Sequence, residues 1–169
     1  EDWKVSVVDT GQQSSVMERL IMVHELAGEE SVLVAYGDCL SDINIREMVE
    51  NHRRQQSHAT VAIAHPTGRN EILALNEQGE YIGTKQGKKQ KHSWVNACSM
   101  VLEACAFDYL KENQEKHFAS SLMDCLAAHE PVQTYRHEGF WSPVETIRDK
   151  TLMENLWAEH KAPWKVWED

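Results

Sequence analysis

Two carboxylates and one basic loop have the surroundings in this sequence that best suit phosphate and metal chemistry. Asp38 follows Ser31-Val32-Leu33-Val34-Ala35-Tyr36, an unbroken apolar run of the kind covered on both faces of a sheet, and stands in Tyr36-Gly37-Asp38-Cys39. It should emerge at the strand's carboxyl end, where open α/β sheets bind ligands and a carboxylate can hold Mg²⁺ against a phosphate. An Asp beside Gly37 also suits a plain turn or cap. Glu145 lies just past the turn-rich Gly139-Phe140-Trp141-Ser142-Pro143, at the start of a last helix. An acid there ordinarily complements the helix dipole, worth about 0.3–1 kcal/mol, and becomes a ligand only if the fold carries it to Asp38. Lys85, Lys88, Lys89 and Lys91 make a basic loop in an acidic chain. Such a cluster can steer and neutralise a phosphate-bearing ligand, although a solvated loop is the commoner outcome.

Other chemistries find less support. The nine histidines show no HExxH or Cys/His ligand spacing, which argues against zinc. No GxSxG elbow occurs, and Cys98 stands near Asn96 with no identifiable base, which argues against nucleophilic catalysis. Cys39, Cys98, Cys105 and Cys125 form neither a CxxC nor a secreted framework, so reduced thiols in a cytoplasmic protein are expected. The late tryptophans, Trp141, Trp157, Trp164 and Trp167, read as packing or interface anchors. A net charge of −10 over 169 residues argues against a general nucleic-acid or anionic-membrane binder. No apolar run approaches the roughly 18 residues of a membrane span, and no signal peptide opens the sequence.

The elements that must position these groups follow from periodicity. Trp3-Lys4-Val5-Ser6-Val7-Val8-Asp9 reads as a buried strand meeting a loop at Asp9-Thr10-Gly11. Met17, Leu20, Ile21, Val23 and His24 recur at helical spacing over 14–26, with Gly28 as the stop. Asp42 is placed to cap a second helix carrying Ile45, Met48, Val49 and His52, and Ala59 to Ala64 is a buried strand. A hairpin is expected over Ile72–Leu75 and Tyr81-Ile82, then a Lys-rich loop from Thr84 to Lys91 and a strand from Trp94 to Leu102. An amphipathic helix over Phe118–His129, a short strand over Val132–Arg136 and a helix over Glu145–His160 carrying Ile147, Leu152, Leu156 and Trp157 complete the chain. Alternating strands and helices predict one α/β domain with a mixed, mostly parallel sheet flanked by helices and a small antiparallel insert.

Several segments in register resemble glucose-1-phosphate cytidylyltransferases. They include Val7-Val8-Asp9-Thr10-Gly11, Arg19-Leu20, Tyr36-Gly37-Asp38, His52-Arg53-Arg54, Trp94-Val95-Asn96, Tyr135 to Trp141, Thr146 to Lys150 and Ala162 to Trp167. The likeness runs nearly the length of the chain and implies a Rossmann-like nucleotidyltransferase fold. It implies a sugar 1-phosphate attacking the α-phosphorus of CTP with release of pyrophosphate. It also implies Mg²⁺ on Asp38 and Glu145, catalytic roles for Lys85 and Arg19, and ligand contacts from Asn96, Thr10 and Gly11. The departures concern ligand-facing positions. No GGxGTRL phosphate loop occurs among the 169 residues, so the single domain over 1–169 is expected to be incomplete at its N-terminus, as Glu1 in place of Met also suggests. Val16-Met17-Glu18 replaces Thr-Gly-Gly, Cys39 replaces the glycine after Asp38, Asn96-Ala97-Cys98 replaces Asn-Gly-Gly, and Thr84 replaces the glutamate before Lys85. Three functions are compatible with this pattern: part of a working transferase, a catalytically silent homologue serving as a structural or regulatory subunit, or a binder of another phosphorylated ligand. A homo- or hetero-oligomer is expected, since a sheet beginning at Trp3 would leave apolar surface and strand edge open.

Overall fold

The computed structural model describes residues 2–65, 72–85, 93–114 and 122–168. Its centre is β3 (Ala59–Ala64), a strand of small and β-branched residues, every one of which is buried. Beside it runs β6 (Val95–Leu102), antiparallel, and on its other side β7 (Gln133–Arg136), parallel. The strand β1 (Val32–Ala35) pairs antiparallel with the far side of β6, giving the order β1-β6-β3-β7. Thus β1, β3 and β7 share one direction and β6 opposes them: the sheet is mixed, as the strand–helix alternation predicts.

Alternation along β3 sends its side chains to two cores. Val61 and Ile63, with Met100 and Leu102, meet a layer made by α1 (Val16–Ala27), α3 (Ala104–Gln114) and α4 (Leu122–Ala127). Phe107, Leu110 and Leu126 are its fully buried anchors, with Met17, Leu20 and Ile21 packed from α1. The hairpin β4 (Ile72–Leu75) and β5 (Tyr81–Lys85) adds Leu73 and Tyr81 to the same core. On the opposite face Ala62, Ala64 and Ala97 receive Met48 of α2 (Ile45–Gln55) and Trp141. Trp141 opens β8 (Trp141–Pro143), which pairs antiparallel with β2 (Cys39–Ser41) in a separate ribbon. The last helix, α5 (Ile147–Ala158), follows that ribbon directly.

Local chemistry explains the boundaries. A capping box starts α1: the Ser15 hydroxyl accepts from the Glu18 amide at 3.3 Å while Glu18 accepts from the Ser15 amide at 2.7 Å. Gly28, at φ 73°, ends it. A second capping box, Thr146 with Asp149, starts α5, and the Thr146 hydrogen bonds hold the Asp149 carboxyl below its usual range. A buried relay ties α2 to the sheet: His52 Nδ1 lies 2.8 Å from Thr60 Oγ1, and His52 Nε2 lies 2.8 Å from Glu103 Oε1, which also accepts from Ser31.

Four expectations need correction, and one helix was not foreseen. Residues 2–9 form no strand: among the described residues none pairs with them, and Trp3 and Val7 are 82% and 96% exposed. Only alternate residues of β1 are covered: Val32 and Val34 pack on the helical core while Leu33 on the other face is 44% exposed, so the strand is not buried on both faces. Asn44, not Asp42, caps α2 by accepting from the Glu47 amide, while Asp42 pairs with His137 at 2.9 Å. Met153 is the buried residue of α5; Ile147 and Leu152, placed on the apolar stripe, are exposed. Helix α3, which directly follows β6, is absent from the sequence reading. Of the predicted Phe118–His129 helix, 122–127 is helical and 115–121 lies outside the described residues. The basic loop is likewise outside them from residue 86 to 92.

Candidate functional site

Three backbone devices bring the candidate residues together. At the end of β1 the Tyr36 amide donates to the Cys98 carbonyl at 2.9 Å, tying the Tyr36-Gly37-Asp38 turn to β6. At that point β6 bulges: Val61 pairs with Met100 and Ile63 with Asn96, so residues 97–99 stand opposite Ala62 alone. The bulge places Cys98 in the left-handed region at φ 64°, and the Asn96 side-chain oxygen supports it by accepting from the Cys98 amide at 2.8 Å. Finally, the Val144 amide donates to the Asp38 carbonyl at 2.7 Å, continuing the β2–β8 ribbon. This brings Val144, the residue before Glu145, against the Asp38 backbone.

The outcome is a cluster at the sheet edge. Ligand atoms of Asp38, Cys39 and Cys98 all lie within 4.8 Å of one another, with Cys39 Sγ 3.6 Å from an Asp38 carboxylate oxygen. Asp38 and Glu145 are exposed, and both thiols are half-buried. The thiols titrate unequally. A hydrogen bond to the Cys98 sulfur drives the Cys39 thiol far up, aided by burial and by the negative charge of Asp38. The same bond makes Cys98 the more acidic of the two, against opposing effects of burial, Asp38 and Glu145. Tyr36 is pushed up by burial and then by these neighbouring negative charges.

Arg19 and Asp38 line one cavity of about 640 Å³ between α1 and the β1 edge, with Leu20, Val34 and Phe107 among its apolar walls. Arg19 is exposed, and its Nε donates to the Ser14 carbonyl at 2.9 Å. Thr10 and Gly11 form the turn before α1, with Gly11 at φ 81° and the Ser14 hydroxyl bonded to the Thr10 carbonyl. Neither is among the described lining residues of that cavity. Asn96 reaches the cluster through Cys98. Lys85 ends β5 opposite Ile72, in a ribbon apart from the cluster, and its side chain lies outside the described residues. The sequence reading missed the cysteine pair because motif spacing tests neighbours along the chain, whereas Cys39 and Cys98 meet only through the β1–β6 pairing. It also missed the ion pair of His137 with Asp42, which packs under Gly139 beside the same ribbon: a Cβ on Gly139 would meet an Asp42 oxygen at 2.6 Å.

No family profile matches the chain. At 32% identity over 99% of its length it matches the glucose-1-phosphate cytidylyltransferases of Salmonella typhi and Salmonella typhimurium. It spans 65% of the length of these relatives. A glucose-1-phosphate adenylyltransferase of Bacillus licheniformis is 28% identical over 82% of the chain, which covers 39% of that relative. Among solved structures, a UDP-glucose pyrophosphorylase complexed with UDP-glucose superposes with a TM-score of 0.71 at 16% identity, covering 92% of this chain and 66% of that one. The apo form of a UDP-glucose pyrophosphorylase gives 0.70 over 92% of this chain and 64% of that one, again at 16% identity. The fold is therefore that of the sugar nucleotidyltransferases. The sequence resemblance to the cytidylyltransferases holds over nearly the whole chain.

Proposed function

We propose that this chain carries the sugar-phosphate and metal side of a sugar-1-phosphate nucleotidyltransferase, joining a hexose 1-phosphate to the α-phosphorus of CTP. A phosphate oxygen of the sugar forms the new P–O bond, the bond to the β-phosphate breaks, and pyrophosphate leaves. The observation that carries this reading is the hydrogen bond from the Val144 amide, next to Glu145, to the Asp38 carbonyl beyond the end of β1, with Arg19 on the same cavity as Asp38. Two exposed carboxylates at a sheet edge fit Mg²⁺, an oxygen-seeking cation that retains waters and takes one or two carboxylates plus phosphate. Bound there, it would neutralise the charge of the reacting phosphates.

In this reading Arg19 clamps a phosphate through its planar fork, which suits oxyanions better than a point charge. Asn96 keeps an amide N–H₂ free of its bond to Cys98 and offers it to a sugar hydroxyl. Lys85 supplies positive charge from the head of the basic loop, and Thr10 and Gly11 shape the turn before α1. Catalysis of this kind is mainly positioning and charge stabilisation. CTP and glucose are assigned on resemblance, and the match to an adenylyltransferase makes the base the first feature to test. A cytoplasmic setting suits these substrates, and no described helix is long and apolar enough to cross a membrane.

The test is pyrophosphate release from CTP and glucose 1-phosphate with Mg²⁺, compared with ATP, UTP and dTTP. Turnover that Asp38→Asn lowers by at least about 100-fold supports the reading, a loss typical of a removed charge-stabilising group. Absence of turnover with every nucleotide overturns the reading: a melting temperature still raised by glucose 1-phosphate then favours a binder of phosphorylated ligands, and no shift favours the silent homologue.

A further inference from the structure

The donor set at Asp38 contains more sulfur than a magnesium site uses. We propose that Asp38, Cys39 and Cys98 form a binding site for a thiophilic divalent cation of the zinc class. The first argument is geometric. A tetrahedral zinc ion with Zn–S of about 2.3 Å and Zn–O of about 2.0 Å sets its sulfur and oxygen donors about 3.5 Å apart and its two sulfurs about 3.8 Å apart. Cys39 Sγ and the Asp38 oxygen stand 3.6 Å apart, and the three ligand atoms lie within 4.8 Å of one another, so small rotations complete three corners of the tetrahedron.

The second argument is preorganisation. Each ligand is held by backbone that cannot slide independently. Cys39 pairs with Pro143 in the β2–β8 ribbon, Asp38 accepts from the Val144 amide through its carbonyl, and Cys98 is fixed by the bulge and by Asn96. Adjacent residues Asp38 and Cys39 supply two ligands, and the third comes from a neighbouring strand. The third argument is chemical selectivity. Two thiolates and one carboxylate favour zinc-class ions, whereas Mg²⁺ gains little from sulfur. Binding requires both thiols to lose their protons, so an acidic solution weakens it. A tetrahedral ion held by these three ligands keeps its fourth position for a water. Because Asp38 serves both cations, zinc at this site removes it from any Mg²⁺ site. The thiols sit at the reacting edge of the sheet, yet the assignment rests on the donors alone, not on turnover.

The test uses the whole 169-residue chain, reduced and stripped of metal, titrated with Co²⁺ alone. One equivalent should bring a thiolate-to-cobalt charge-transfer band in the near ultraviolet and visible bands of tetrahedral strength. Zn²⁺ should bleach them, and a large excess of Mg²⁺ should leave them. Cys39→Ser and Cys98→Ser should each lose the charge-transfer signal or most of it, and Asp38→Asn should weaken binding by at least about tenfold. Cys105→Ser should change nothing, since Cys105 is exposed on α3. A readout that needs no variant is alkylation of the native chain, followed by mass: Zn²⁺ should protect Cys39 and Cys98 and leave Cys105 reactive. The proposal is overturned if no thiolate band appears, if the band survives both serine variants, or if zinc protects neither thiol. A disulfide forming between the two cysteines as fast with zinc as without it overturns it equally. None of these readings involves a nucleotide, so a failed turnover assay and a failed metal titration are separate results.

Discussion

At the scale of single residues, Cys98 shows how a side chain and its backbone pull apart. Its φ of 64° lies in the left-handed region, which costs an L-residue other than glycine roughly 1–2 kcal/mol. The Asn96 acceptor and the Tyr36 donor on either side of it hold that conformation in place. Cys98→Gly relieves the strain, while glycine adds about 0.5–1 kcal/mol of backbone entropy to the unfolded chain. The half-buried sulfur contributes little packing to set against this. The stability of the Cys98→Gly variant in a urea titration should therefore stay within about 1 kcal/mol of the parent, although its cobalt charge-transfer signal is lost. A loss of several kcal/mol would mean that the sulfur is a core group and that the strain argument is wrong. At the level of residues the sequence singles out Asp38 and Glu145 because carboxylates beside turns stand out locally, whereas Arg19 enters only through the family resemblance. Zinc finds no support there because ligand spacing is read along the chain. Cys39 and Cys98 come together only through strand pairing, which no local spacing records.

At the scale of elements, the β2–β8 ribbon positions Asp38 against the start of α5. It was not visible in the sequence: Cys39-Leu40-Ser41 and Trp141-Ser142-Pro143 are too short and too mixed to show a period. The central strand β3 was visible because its continuous apolar run needs cover on both faces, and the β4–β5 hairpin because Gly79, at φ 86°, marks its turn. The ribbon depends on a tight packing under Gly139. His137 Nε2 lies 2.9 Å from Asp42, and the Asp42 amide donates to the Phe140 carbonyl at 3.1 Å. A methyl on Gly139 would meet Asp42 at 2.6 Å and the His137 ring at 2.8 Å, distances at which the ion pair must separate or the ribbon must shift. Gly139→Ala should destabilise the fold by about 1–3 kcal/mol, the usual cost of overpacking. Because the same ribbon carries Val144 onto Asp38, it should also weaken cobalt binding, whereas a Ser15→Ala change in the α1 cap, costing about 1 kcal/mol, should not. Equal metal affinity in both variants would show that the ribbon does not set the site.

At the scale of the whole molecule, cover is uneven around the sheet. β3 lies between two strands and beneath two cores, while among the described residues β1 ends the sheet with one edge unpaired and Leu33 exposed. Beside it, α1 buries none of its residues fully, and Val16, Met22, Val23 and Leu26 remain exposed. The apolar, strand-forming residues near Val5 and Val7 are exposed as well. An edge strand flanked by apolar helix surface is where a further strand adds most readily, and nearby charge is the usual defence against it. The chain carries a net −10, but α1 shows that apolar face rather than a charged one. Hydrogen exchange separates the two conditions of this edge. In the chain alone, amides of 59–64 and 95–102 should exchange slowly, through global unfolding, and those of β1 that point away from β6 should exchange at least about a hundredfold faster. That ratio should hold on dilution. If the outward amides of β1 are as protected as those of β3, and lose protection as the chain is diluted, a second copy covers the edge and the oligomer expected from the open sheet is a homo-oligomer.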